Sequence, residues 1–151
     1  MVMNMVEVNE KAPVLAKAQI EIVATPETVW NIMADIEAWP SWNPDVKKAC
    51  LKGELEEGTQ FQWKTKVGKI TSLLQKVEPP HLLAWTGRIM GINAIHVWRI
   101  ESKDGKTVVV TEESWEGALS RVMSGRMQTM LEESINSGLQ YLKSESERVS
   151  D

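Results

Sequence analysis

Cysteine is almost absent: Cys50 stands alone in 151 residues, so no disulfide can form within the chain and nothing calls for an oxidising compartment. Histidine is nearly as scarce. His81 and His96 are the two in the chain, and with one cysteine and no ligand-type spacing they leave no candidate metal site. No apolar run approaches the ~20 residues that a membrane-spanning helix needs, so no integral membrane association is expected. Positive charge is in deficit, with 17 Lys and Arg against 21 Asp and Glu, which argues against a nucleic-acid surface. The N-terminus has acidic residues where a secretory signal carries a basic region and a continuous apolar core, so the expected location is the cytoplasm. No Gly-x-Ser-x-Gly nucleophile motif and no glycine-rich phosphate loop occur, since Gly87–Gly91 reads as a turn, and no cofactor is implied. Aromatic variety is low as well, one tyrosine and one phenylalanine, yet there are seven tryptophans. Tryptophan offers a large flat apolar surface with a single donor, which suits cores and ligand pockets equally.

What is present is a run of strand patterns closed by a helix pattern. Residues 1–15 read as a poorly fixed arm, and 16–147 as one domain large enough to bury a core unaided. Ala18, Ile20, Ile22 and Ala24 alternate with Lys17, Gln19 and Glu21, the pattern of a strand with one wet face. Thr25-Pro26-Glu27 then combines an N-cap, a proline suited to the first turn and an acid that favours the helix dipole. That helix runs to about Ile36. Pro40 and Pro44 forbid a long helix after it, so Trp39–Trp42 allows only a turn or two. Strands follow over Val46–Lys52, Thr59–Val67, Ile70–Val77, Leu82–Ile89, Asn93–Glu101 and Thr107–Glu116, with a bulge suggested where the alternation slips between Leu73 and Val77. Asp104-Gly105 is the strongest hairpin signal. Last come Leu119, Val122, Met123, Met127, Met130, Leu131, Ile135, Leu139 and Leu142, spaced by threes and fours, which predicts one helix over Leu119–Lys143 with fraying after about Glu145. A bent antiparallel sheet wrapped around that helix satisfies every segment.

The stretch from Ile20 to Val46 resembles the opening of the START-like, or birch-pollen-allergen-like (SRPBCC), superfamily, and within it the polyketide cyclase/dehydrase group. The residues that carry the resemblance are Ile22, Ala24, Pro26, Val29, Trp30, Trp39, Trp42, Asn43 and Pro44, supported by Gly58–Trp63, Glu78–Trp85, Gly105–Thr111 and Gly138–Lys143. It implies an α+β helix-grip fold. A curved seven-stranded antiparallel sheet would hold the C-terminal helix, two short helices would follow the first strand, and a hydrophobic cavity would lie between sheet and helix. It also implies binding of an apolar small molecule, such as a lipid or a polyketide-like aromatic. A minority of such proteins are cyclases or hydrolases, some are co-chaperone-like interaction modules, and an enzyme of this group would be a polyketide cyclase or dehydrase.

On these alternations Phe61, Trp63, Leu83, Trp85, His96 and Trp98 face the helix. The last strand allows two registers, because Val108 and Val110 also form an apolar face, and the resemblance favours the one with Val109, Thr111, Glu113 and Trp115 inside. His96 and Glu113 then enter a tryptophan-lined space on neighbouring strands, as an acid–base couple for an enol or carbonyl or as a structural polar pair. Burial should raise the Glu113 pKa. The expected ligand wall is Trp42, Phe61, Trp63, Trp85, Met90, Trp98, Trp115, Met123, Met127 and Met130. The methionines can re-pack around different partners. The expected partner is a hydrophobic small molecule, and the expected state a monomer or weak homodimer.

Overall fold

The computed structural model describes residues 6–150. Strand β1 (Val14–Ile22) leads to α1 (Pro26–Ala34), a single 3-10 turn (Ile36–Ala38) and the four-residue α2 (Trp39–Trp42). Strands β2 (Val46–Leu51), β3 (Gln60–Thr65), β4 (Gly68–Glu78), β5 (Leu82–Ile89), β6 (Ile92–Lys103) and β7 (Lys106–Glu116) follow, then α3 (Ala118–Val122) and α4 (Ser124–Ser150). All strand pairings are antiparallel, in the spatial order β1-β7-β6-β5-β4-β3-β2. This is the curved seven-stranded helix-grip sheet, with two short helices after the first strand and the long helix at the C-terminus. Thr25 caps α1 by accepting from the Thr28 amide, with Pro26 in the first turn. The irregularity read in β4 is present as a register shift between Leu74 and Lys76.

Three features depart from the sequence pattern. The single helix expected over Leu119–Lys143 is two. Met123 leaves helical geometry at φ -115°, ψ 32°, just before Ser124-Gly125, a pair with poor helix propensity and no tertiary contact at Gly125 to offset it. At its far end α4 continues to Ser150 instead of fraying. Ser146 is fully buried, Lys143 pairs with Glu147 at 2.7 Å, and Glu147 also accepts from the Val23 amide at 2.8 Å. At the N-terminus the first strand begins at Val14, and Val8 and Asn9 before it lie on the outer face of the sheet. Val8 packs there with Ala84 and Val97, and Asn9 donates through its amide to Ser114 Oγ at 3.1 Å and through Nδ2 to Glu116 Oε1 at 2.6 Å. Residues 1–5 of the expected arm fall outside the described residues.

The inner face of the sheet and α4 enclose the main core. Ile22, Val29, Ile36, Phe61, Leu74, Leu83, Ile100, Val109, Leu139 and Leu142 are each almost inaccessible to solvent. Gly138 of α4 faces the sheet, where a Cβ would meet the Trp98 ring at 3.9 Å, an ordinary contact. A second cluster gathers Val14, Ile92, Met127, Leu131 and Ile135 towards the start of α4.

Candidate functional site

The β6–β7 ladder sets His96 opposite Glu113 and Trp98 opposite Thr111, and the β5–β6 ladder sets Trp85 opposite His96. Because strand side chains alternate, Thr111, Glu113 and Trp115 all project to the helix side of β7. The register with Val109 and Thr111 inside is the one adopted: both are completely buried, and Val109 joins the Trp98 and Leu139 cluster.

A continuous polar row results. Thr111 Oγ1 lies 2.8 Å from His96 Nε2, His96 Nδ1 lies 3.1 Å from Glu113 Oε1, and Trp115 Nε1 donates to Glu113 Oε2 at 2.7 Å. The His96 ring is flanked by Trp85 and Trp98, with centroids at 4.8 and 5.1 Å. Next to it the Trp98 indole N–H is buried without an acceptor among the described residues, a costly state that a ligand oxygen would relieve. The Glu113 side chain keeps 14% of its surface accessible, so the row is not sealed.

Burial controls the protonation of the pair. It pushes the Glu113 carboxyl up to about 7, against the pull of the Trp115 N–H, and holds the His96 imidazole down to about 3. His96 is therefore neutral near pH 7, while Glu113 keeps its proton well above the ordinary carboxylate range. Both forms of the row are fully hydrogen-bonded. With Glu113 ionised, Nδ1–H donates to it and Nε2 accepts from the Thr111 hydroxyl. With Glu113 protonated, its O–H donates to Nδ1 and Nε2–H donates to Thr111. A proton can therefore be held or released at Glu113 by a tautomer change alone, without an imidazolium.

The expected wall residues divide. Phe61, Trp63, Trp85 and Trp98 come together, organised around Trp39. The Trp39 ring lies 5.6 Å from Phe61 and 5.4 Å from both Trp63 and Trp85, and its Nε1 donates to the Met33 carbonyl at 2.9 Å. Trp115 and Met127 belong to the second cluster, and Met130 is half-buried on α4. Three lie away from the row. Met90 is 74% exposed in the β5–β6 turn, and Met123 is 37% exposed because the chain leaves helical geometry there. Trp42 is half-buried beside an outer groove between α1, α2 and the end of α4, its own Nε1 also lacking an acceptor.

A groove of about 230 Å³ beside Trp42 and another of about 280 Å³ beside His81 and Arg99 open at the surface, and neither is lined by His96 or Glu113. The His96 ring itself is packed between Trp85 and Trp98. Sequence placed Thr111 on the inward face without giving it a role, and the unpaired Trp98 N–H and the contacts gathered by Trp39 were not foreseen. The role of Thr111 was legible in principle, since it shares its strand face with Glu113. Among the described residues no three His, Cys, Asp or Glu side chains converge as a metal set.

Sheet order and gripped helix define a helix-grip fold. Residues 13–147 match the family model described as "Polyketide cyclase / dehydrase and lipid transport", and the chain belongs to that family. No curated protein matches the sequence. Among solved structures, a hypothetical protein from Helicobacter pylori superposes with a TM-score of 0.81 at 15% identity, covering 97% of this chain and 99% of that one. The Zhui aromatase/cyclase from a Streptomyces species gives 0.76 at 16% identity, over 89% and 93%. A START superfamily protein from Mycobacterium smegmatis gives 0.70 at 14%, over 89% and 98%. At such identities these structures share the fold. The family's description points to hydrophobic small molecules, and no helix of the described residues is long and apolar enough to cross a membrane.

Proposed function

We propose that the protein binds a hydrophobic small molecule, lipid or polyketide-like aromatic, between the sheet and α4, with a ligand oxygen meeting the Trp98 N–H and the His96–Glu113 pair. One observation carries this reading: a complete proton-sharing row is buried against tryptophan faces beside an indole donor that has no protein partner. Apolar contact at roughly 25 cal/mol per Å² supplies affinity, and the few polar groups fix orientation. Entry requires the packed aromatic and methionine side chains to shift, which the unbranched Met127 and Met130 suit.

A second reading has its own observation. Glu113 is poised near neutrality beside a neutral imidazole, the condition for general acid–base work on an enol or carbonyl, as in a cyclase or dehydrase. The two readings share the pocket and differ in whether Glu113 changes protonation during a turnover.

The test is quenching of tryptophan fluorescence by a panel of fatty acids, flavonoids and polyketide-like aromatics. At least one class should quench saturably, and Trp98→Phe should weaken that class about tenfold, the worth of one hydrogen bond to a buried ligand oxygen. A flat response to every class would overturn the binding reading. Catalysis is separated by Glu113→Gln: unchanged turnover of a bound polyketide would remove the enzyme.

A further inference from the structure

The antiparallel register brings three chain tips to one end of the sheet. The β3–β4 turn follows Thr65, which pairs with Gly68, and a Cβ on Gly68 would touch Ile89 at the base of the β5–β6 turn. Gly117, before α3, is packed against the Gly91 carbonyl of that same turn. Leu119 of α3 packs with Ile89, Ile92 and Trp115.

All three tips have the same composition. Val67, 45% exposed, lies between Lys66 and Lys69; Met90, 74% exposed, follows Arg88; Val122, 83% exposed, and Met123 lie between Arg121 and Arg126. These five basic side chains are exposed, and none is ion-paired among the described residues. Asp45 and Glu116 are the nearby acids, and Glu116 is engaged by Asn9. The opposite end carries Glu54, Glu56, Glu57, Glu78 and Asp104 together with Lys52, Lys103 and Lys106. A chain of net charge -4 has thus collected unpaired positive charge at one end.

Met90 shows that this end answers to something besides the fold. Met90 and Gly91 have φ 45° and 78°, the positive pair of a two-residue hairpin turn that Asn-Gly or Asp-Gly fills best. The other such turn in the chain is Asp104-Gly105, at φ 50° and 79°. A bulky methionine in that backbone conformation, mostly in water, is a local cost with no partner inside the protein.

We propose that this end docks on an anionic lipid surface, with Val67, Met90, Val122 and Met123 entering the headgroup region and the surrounding lysines and arginines meeting the lipid charge. The bilayer fits better than a purely polyanionic partner because each cationic tip also presents an apolar side chain. The docking does not depend on what the interior binds.

The test is co-sedimentation of the full chain with vesicles of phosphatidylcholine alone or with one quarter phosphatidylglycerol. Binding should require the anionic lipid and should fall as salt rises, since the Debye length shrinks to about 3 Å at 1 M. Lys66→Gln with Lys69→Gln should weaken partition about 25-fold, fivefold per lysine. Met90→Asn should weaken it roughly tenfold by removing an inserted apolar side chain, while the protein melts no lower than wild type because asparagine suits the turn. Lys103→Gln at the opposite end should change nothing. Three outcomes overturn the proposal: no partition to either vesicle, equal binding to heparin and no effect of Met90→Asn, or salt-sensitive head-to-tail self-association on light scattering in place of vesicle binding.

Discussion

Replacing Glu113 by Gln should change the pH dependence of stability in a way that isolates the buried pair. In the folded protein Glu113 is raised to about 7, so its contribution is fully present below the ordinary carboxylate value near 4.5 and is lost as pH rises through 7. His96 is lowered from 6.5 to about 3, so its contribution is present above 6.5 and is lost as pH falls towards 3. Between about pH 4.5 and 6.5 the two slopes cancel. The unfolded chain carries its proton on the histidine and the folded chain carries one on the glutamate, so the number bound is equal. The glutamine variant loses the glutamate term and exposes the other. Each pH unit is worth about 1.4 kcal/mol for one proton, so the variant should lose about 3 kcal/mol relative to wild type between pH 7 and pH 4.5. Urea denaturation followed by tryptophan fluorescence at half-unit steps gives the difference directly, with the remaining titrations common to both proteins. Parallel pH profiles for wild type and variant would refute the reasoning, because they would mean that Glu113 has the same pKa folded and unfolded.

His96→Asn should give a difference profile of opposite sign, wild type losing its advantage as pH falls below 6.5, in the same denaturation assay. Gly117→Ala should destabilise by at least about 2 kcal/mol, seen as a lower urea midpoint, because its backbone lies at φ 115° and the new Cβ would collide with the Gly91 carbonyl. Gly138→Ala should do the reverse and raise the midpoint by up to about 1 kcal/mol, since the Cβ meets only ordinary contact with Trp98 and alanine favours the helix. Leu139→Ala, at 2% exposure, should cost about 2–5 kcal/mol in the same measurement.

The fold was legible because its signals are local and repeated: period-two strands, Thr25-Pro26 at a helix start, Asp104-Gly105 at a turn. The inward face of β7 was legible only with the resemblance, because Val108 and Val110 make the other face equally apolar. The His96–Glu113 meeting followed from that choice, since register alone sets the two opposite. What escaped depended on contacts that the spacing of apolar residues does not encode. Met123 fits the helical stripe, yet the low propensity of Ser124-Gly125 ends the regular geometry beside it. Met90 looks apolar and therefore inward, but it falls on a turn whose backbone points it to solvent. Val8 lies in a mixed segment and is buried only because Ala84 leaves room on the outer face. The filling of the interior by Trp39 and its neighbours depends on side-chain packing, which a face assignment does not determine.

The proposed ligand site is the space between Trp98 and α4, which would receive an apolar molecule. Native mass spectrometry of the chain incubated with lipids, flavonoids and polyketide-like aromatics tests it most directly, with Gly138→Leu as the comparison. That leucine would project from α4 towards the Trp98 ring and occupy the proposed site. The wild type should form a one-to-one complex with at least one class and Gly138→Leu none, with both proteins folded by circular dichroism. No complex with any class, or a complex that survives Gly138→Leu unchanged, would contradict it.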